Sequence, residues 1–419
     1  MDTRLIAVLL PTLLVGMALE LALSGPAAAQ LGVPAVRGVI AGVGAQVGRA
    51  TGALDTAGSN IADLASRLAN ERLDRLRTLV HRNPDALELD LAGDPALKGE
   101  LLLIAPGSEA IETARHAGFA VLGEEQLGDL GFAVIRLGVP ARLSLRKAQE
   151  RLDRLIPGAA VAADVLHFQS GGAAASAAEG KNAASAPTIE AKVGVIDGAP
   201  GSAASIGEQR GFARGAPVGS HHGSAVVSLL QLAGVRRIAV ADVYGADPAG
   251  GSALAIARAL DWLVGGGARV ITISLVGPAN PLLGRAIDAA QLKGVVIVGA
   301  VGNDGPAAPP AYPASYPGVL AVTGVDGRDR PLIEAGRALH LDYAAPGADM
   351  LARNAAGRWI NVRGTSYAAP LVAARAAAAI SSGGRAVAVL DREARHIGVG
   401  KAAQLYGRGL LCSTCRRTR

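Results

Sequence analysis

Between Lys192 and Ala300 the sequence alternates short apolar runs with longer helix-like segments, and this alternation restricts the fold more than any other feature. The apolar runs are Lys192 to Ile196, Arg237 to Val243, Val270 to Leu275 and Val295 to Ala300; the helical segments start at His222 and span Ser252 to Leu263 and Pro281 to Leu292. Strands that alternate with helices form a parallel sheet covered on both faces. In such sheets the carboxyl ends of the strands carry the ligand-binding groups. Chemistry is therefore expected from residues that close these runs.

Upstream, residues 100–169 carry shorter elements: strands at Leu101 to Ile104, Phe132 to Leu137 and Ala160 to Phe168, and helices at Glu109 to His116 and Ser144 to Ile156. This pattern predicts a small α+β domain. Ser170 to Pro187 is made of Ala, Ser and Gly with almost no large apolar residue, so residues 170–188 read as a flexible linker open to proteolysis. Residues 30–99 form a helical N-terminal region whose clearest element is Asn60 to His81, with Ile61, Leu64, Leu68, Leu76 and Leu79 at helical steps. Arg67, Arg72, Arg75 and Arg77 lie between them, as a solvated face or as contacts for a membrane surface or nucleic acid.

Residues 1–29 read as a secretory signal: Arg4 precedes the apolar run Leu5 to Leu19, and Ala27-Ala28-Ala29 offers a cleavage site before Gln30. A secreted or periplasmic location follows. The stretch of residues 5–23 is nearly long enough to cross a bilayer, so an uncleaved membrane anchor is the alternative.

At 419 residues the chain can bury a core without disulfides or metals. Its net charge of +6, from 41 basic and 35 acidic residues, is spread along the chain apart from the basic tail at 412–419, and aromatics are only 3%. That composition argues against a nucleic-acid partner. Cys412 and Cys415 supply half a zinc site at most, so a local disulfide or an idle pair is expected.

Four residues carry candidate chemistry. Asp197 closes the run Val193-Gly194-Val195-Ile196, where an aspartate is also a common cap or turn former. His222, in Ser220-His221-His222-Gly223-Ser224, starts a small-residue helix, from which an imidazole can bond a carboxylate with one nitrogen and a hydroxyl with the other. A surface cap is the plain alternative. Ser366, in Gly364-Thr365-Ser366-Tyr367-Ala368-Ala369-Pro370, precedes the alanine-rich stretch Leu371 to Ile380. A serine at a helix start has a positive dipole end and free N–H groups beside it, which favour an oxyanion. Asn303, in Val301-Gly302-Asn303-Asp304-Gly305, ends another run, where its amide can donate to the same oxyanion or form an ordinary turn.

Together these segments resemble the subtilisin family, in which aspartate, histidine and serine follow one another in this chain order. His222-Gly223-Ser224, Val301-Gly302-Asn303 and Gly364 to Pro370 match its histidine, oxyanion and nucleophile blocks. Supporting stretches from Val193 to Leu411 place the catalytic domain at residues 189–411. The resemblance implies a parallel-sheet α/β protease acting on polypeptides, with Asp197, His222 and Ser366 as triad and Asn303 in the oxyanion hole. It implies substrate held between Ser274, Leu275, Val276 and Gly277 on one side and Pro248, Ala249 and Gly250 on the other. Gly299 to Gly302 would complete an uncharged specificity pocket for medium-sized apolar side chains. Residues 100–169 resemble, more loosely, the prodomains that assist folding and block the cleft. No cofactor is implied. The short stretch between Asp197 and His222 leaves little room for the family's calcium loop, and Gly198-Ala199 stands where relatives carry a hydroxyl after the aspartate. An esterase with the same triad, or an inactive binding protein on the same fold, are the alternatives.

Overall fold

The computed structural model describes residues 63–170, 175–177 and 186–416. The signal or anchor segment lies outside the described residues, as does the chain between it and residue 63. Residues 63–82 are helical (α1). There follow β1 (Leu87–Leu89), β2 (Pro95–Ile104), α2 (Ser108–His116), β3 (Ala120–Leu127), β4 (Phe132–Gly138), α3 (Leu145–Leu155) and β5 (Ala160–Val165). The strands form an antiparallel sheet with β2 between β4 and β5, β3 outside β4, and β1 against the start of β2. The sheet thus begins at Leu87, whereas the apolar pattern suggested a domain start at residue 100. Leu87 and Leu97 gain strand character only by pairing with each other across the turn at Gly93, which no local pattern announces.

Successive residues of β2 face opposite sides of the sheet. Leu101 and Leu103 pack with Ile135, Leu137, Leu145 and Leu152 beneath α2 and α3. Leu102 and Ile104 instead join a core that contains Leu254, Leu260 and Leu282 from further along the chain. Burial on both faces explains why Leu101 to Ile104 is an unbroken apolar run.

Beyond β6 (Phe168–Gln169) the Ala/Ser/Gly segment is described at Ser170, at residues 186–187 and at the short strand β7 (Ala175–Ala177). Next come β8 (Val193–Asp197), β9 (Glu208–Gly211), α4 (His221–Leu232), β10 (Ile238–Asp242), α5 (Ala253–Gly265), β11 (Val270–Ile273) and β12 (Leu275–Val276). They are followed by α6 (Pro281–Leu292), β13 (Val296–Ala300), β14 (Leu320–Val325) and β15 (Tyr343–Pro346). The main sheet has the order β15-β14-β13-β11-β8-β10-β9, and every neighbouring pair is parallel. Alternation along the strands divides its core. Val193, Val195, Val240 and Val298 pack on the α4 side, Ile196, Ala241, Ile271 and Ile297 on the α5 and α6 side.

An antiparallel ribbon, β16 (Met350–Arg353) and β17 (Trp359–Val362), receives β7 at its edge. A 3-10 turn at Thr365–Tyr367 then leads into α7 (Ala369–Ser381), and α8 (Ala386–Glu393) follows. Cys412 and Cys415 are joined in a disulfide. Among the described residues no helix is long and apolar enough to cross a membrane, and no group of three or more His, Cys, Asp or Glu side chains could hold a metal ion.

The end of β8 and the start of α4 meet without side chains between them. A Cβ on Gly223 would lie 1.9 Å from the carbonyl oxygen of Gly198, so helix and strand can be this close only with glycine there. Gly223→Ala must therefore separate the two elements, at a cost on the order of 3 kcal/mol. Thermal unfolding should show its midpoint lowered by at least several degrees. Gly107→Ala, at a position with φ −75 and nothing near the added carbon, should leave the midpoint within about a degree.

Candidate active site

The β8–α4 contact delivers two of the candidate residues to one another. Ser220 caps α4 by accepting a hydrogen bond from the Gly223 N–H at 3.1 Å, and His222 therefore occupies the first turn, facing the end of β8. Its Nδ1 lies 2.8 Å from Asp197 Oδ2 and 3.0 Å from Oδ1. Asp197 is wholly buried and also accepts from its neighbour's N–H, Gly198, at 2.7 Å. The carboxylate can only accept, so it holds the imidazole in the tautomer whose Nδ1–H donates to it and leaves the lone pair on Nε2. The adjacent His221 is exposed and only meets the Ala355 N–H, at 3.4 Å. The hydroxyl missing after Asp197 has a steric cause. A side chain on Gly198 would meet Ser220 Cβ at 2.7 Å and Oγ at 2.9 Å, so Ser220 occupies the space that a hydroxyl residue would need.

Ser366 lies in the 3-10 turn ahead of α7, and that turn is tied to the end of β13 by Thr365. Its hydroxyl accepts from Gly302 N at 3.0 Å and donates to Gly302 O at 3.1 Å, while its own N–H donates to Asn303 Oδ1 at 3.0 Å. The Asn303 amide is thereby oriented with its oxygen engaged and its NH2 free. On the other side of Ser366, the Tyr367 ring packs at a tilt of 43° against that of His222, centroids 5.4 Å apart. Ser366 O also accepts from Ser274 Oγ at 3.0 Å. The structure thus gathers Asp197, His222, Asn303, Ser366 and Ser274 from five separate stretches of chain. Ser366 Oγ, His222 Nε2 and Asn303 Nδ2 are all buried without a hydrogen-bond partner. Buried polar atoms left unpaired are rare in proteins, and a cluster of them marks a place where something else is meant to bind.

A strand of the same chain already lies across this site. β6 pairs antiparallel with β12, Gln169 opposite Leu275 and Phe168 opposite Val276. The pairing continues at Ser170, whose N–H donates to Ser274 O at 3.1 Å. On the far side His167 N donates to Gly251 O at 2.7 Å, and Leu166 bridges Ser252. Pro248, Ala249 and Gly250 form the turn just before that contact, closed by Gly250 N donating to Asp247 O at 2.9 Å. Gly277 is glycine because a Cβ there would lie 2.5 Å from the His167 ring.

Two further contributors have no local signature. The Gln169 amide donates to Asp197 Oδ1 at 3.0 Å and reaches Ser220 Oγ at 3.4 Å. Arg72 and Arg75 of α1 both pair with Asp304, the residue after Asn303, with Arg72 Nε 3.5 Å from its Oδ2. Two arginines of the amphipathic helix are therefore engaged with this rim.

Titration follows burial. The fully buried His167 ring is pushed down to about 4, since burial disfavours the imidazolium, and backbone groups of Pro278, Val165 and Gly251 draw it only partly back. Burial likewise pushes Asp164 of β5 up to about 7, although it accepts from the Leu254 N–H at the start of α5.

Residues 214–404 match the model of the Subtilase family, peptidase S8, a span that holds His222, Asn303 and Ser366. Subtilisin DY of Bacillus licheniformis is 33% identical over 135 residues, which are 31% of this chain and 49% of that protein. Subtilisin Savinase of Lederbergia lenta is 32% identical over 165 residues, 38% of this chain and 61% of its own length. The chain thus spans about half to three fifths of these relatives. Among solved structures, fervidolysin from Fervidobacterium pennivorans, described as a keratinolytic enzyme related to subtilisin, superposes with a TM-score of 0.62 at 17% identity, covering 79% of this chain and 65% of its own. By the family match over residues 214–404, the identities and the shared fold, this part of the chain is similar to the subtilases (peptidase S8) and has a subtilisin-like fold.

Proposed function

We propose that the protein is an exported serine endopeptidase whose N-terminal domain, with α1, occupies its own cleft until the chain cuts itself. The observation that carries this reading is the β6–β12 pairing beside the buried, unpartnered Ser366 Oγ, His222 Nε2 and Asn303 Nδ2. A peptide in strand geometry next to a buried serine hydroxyl is the arrangement of a protease substrate, which adds a strand through main-chain bonds.

In the proposed reaction Ser366 Oγ attacks the carbonyl carbon of the scissile bond while His222 Nε2 takes its proton. Asp197 holds the imidazole in orientation and balances its charge. The Asn303 NH2 and the Ser366 N–H bind the oxyanion of the tetrahedral intermediate. Collapse expels the amine, protonated by His222, and leaves an acyl-enzyme on Ser366. Water, deprotonated by His222, then releases the acid. No cofactor takes part. Backbone pairing along β12 reads little of the side chains, so many polypeptides qualify as substrates. Export rests on the apolar N-terminus.

The pairing of Ser170 with Ser274 supports the bond after Ser170 as the site of first cleavage in this reading. Tethering raises the effective concentration of this strand to the order of millimolar, so cleavage within one molecule outruns cleavage between molecules. Intact-mass analysis of Ser366→Ala is expected to find an uncut precursor, while wild type yields a fragment that starts at Gly171; trimming of the Ser366→Ala protein identical to wild type sinks self-processing. Between the two neighbouring histidines, His222→Ala should lower kcat by several orders of magnitude and His221→Ala by about tenfold or less. Equal losses would reverse the assignment.

Docking of the N-terminal domain also depends on pH. His167 is neutral when docked and has an ordinary value of 6.5, so its contribution is full above that value and is lost as the pH falls toward about 4, a change on the order of 3 kcal/mol. Asp164 works in the opposite sense, because its raised value favours the docked state below about 4 and is a growing handicap as the pH rises to about 7. In the full-length Ser366→Ala protein, going from pH 7 to pH 4.5 should lower the unfolding midpoint several degrees more than in the same protein carrying His167→Leu. Asp164 is common to both, so the difference reports His167 alone.

A further inference from the structure

The chain is held in strand pairings on both sides of the proposed cut. Upstream, β6 lies on β12. Downstream, β7 lies antiparallel on β17, with Ala177 opposite Ile360 and Ala175 opposite Asn361. The order of that sheet is β16-β17-β7, so β7 takes the edge that β17 turns away from its own hairpin partner. β17 ends at Val362, and only residues 363–365 separate it from Ser366. Ala175 is the fifth residue after Ser170, a chain length that spans at most about 18 Å.

The two partners in the downstream pairing are unequal. The β16–β17 ribbon is fixed: Met350, Ala352, Ile360 and Val362 join the core of α4 and α7, and the Arg353 N–H donates to Ser228 Oγ of α4 at 2.9 Å. The Arg353 guanidinium also lies 4.3 Å from the centre of the Trp359 ring. β7 is Ala175-Ser176-Ala177, residues that favour no strand by themselves, so its place depends on the main-chain bonds that β17 offers. Such bonds are the same for any extended segment, and an edge that holds alanine and serine in this way accepts other sequences too.

A cut after Ser170 does not dislodge β7. The segment stays joined to the chain that follows, where the Ile189 N–H donates to Gly234 O at 3.0 Å and the Ala191 N–H to Ser381 Oγ at 2.9 Å. Residues 178–188 are its tether. A tethered segment acts at a concentration on the order of millimolar however dilute the protein is.

We infer that the outer edge of β17 is a strand-binding site for substrate polypeptide five to seven residues downstream of the scissile bond, and that residues 175–177 of the self-processed enzyme compete for it. This rests on the protease reading above and on its cut after Ser170. Substrates that stop short of the edge escape the competition. Longer polypeptides gain the edge only by displacing the enzyme's own new N-terminal segment.

The test compares self-processed wild type with self-processed Ala175→Pro/Ala177→Pro, in which two N–H donors are gone and β7 cannot pair. Two fluorogenic peptides share one upstream sequence and end two or eight residues after the scissile bond; a p-nitroanilide carries the upstream sequence alone. In the variant, KM for the long peptide is expected to fall about fivefold or more, while KM for the other two and kcat for all three stay unchanged. N-methylation of the fifth to seventh downstream residues of the long peptide should abolish the gain. If the double variant does not process itself, the same comparison is made on wild type carrying a thrombin site within residues 179–184, before and after thrombin frees the segment. Equal KM for the long peptide with and without the segment, or a gain that survives N-methylation, overturns the inference and leaves the protease reading standing. Wild type that neither hydrolyses the p-nitroanilide nor reacts with a fluorophosphonate overturns the protease reading, and this inference with it.

Discussion

The backbone contact between Gly198 and Gly223 governs the distance between the main sheet and the helix that carries the histidine. A parallel sheet brings Asp197 to its carboxyl edge whatever stands beside it, but the carboxylate is useful only if the imidazole arrives within hydrogen-bond reach. Two glycines in register provide that approach, and Ser220 does the rest by capping α4 and filling the space next to Gly198. The second half of the site is organised in the same manner: the Thr365 hydroxyl, bonded twice to Gly302, ties the turn that carries Ser366 to the end of β13, and Asn303 closes the link. Both halves rely on small residues and backbone bonds.

The N-terminal domain is attached through three kinds of contact. Its sheet contributes Leu102, Ile104 and Val134 to the core that α5 and α6 cover. β5 meets the starts of those two helices, where Asp164 accepts from Leu254 N and Asn280 donates to Ala163 O at 2.9 Å. Its last residues then enter the cleft as a strand. The apolar contribution is by far the largest, while the ion pairs of Arg72 and Arg75 with Asp304 sit partly in solvent and add little each.

The half of this arrangement that holds Asp197, His222, Asn303 and Ser366 is legible in the sequence because each of its elements is announced locally. Apolar runs end at Asp197 and Ala300, a serine cap precedes His222, and the glycine-flanked string around Ser366 is long enough to stand out. What escapes is what depends on partners distant in the chain. Gln169 is a single amide before a low-complexity segment, and nothing nearby says that its partner is Asp197. The arginines of α1 look like a solvated stripe until Asp304, far along the chain, is placed beside two of them. Edge strand β9, Glu208–Gly211, has no apolar alternation because it is largely exposed, and β7 consists of residues that favour no strand by themselves. Val276 was recognisable as a wall residue, but that a Cβ on Gly302 would lie 3.2 Å from its Cγ1 depends on the spacing of two strands, which sequence periodicity does not contain.

The shared core of β2 with α5 and α6 has a consequence for what a cut after Ser170 accomplishes. Hydrolysis of one peptide bond removes none of the contacts of Leu102, Ile104 or Asp164, so the severed domain stays where it was. What changes is the law that governs it. Before the cut the cleft is occupied in every molecule regardless of how dilute the solution is; afterwards occupancy obeys mass action and falls with dilution. If the chain is cut there as proposed, cutting and liberation are separate events, and the second is controlled by volume: the nicked protein would keep its cleft filled where it is concentrated and open it where it is diluted.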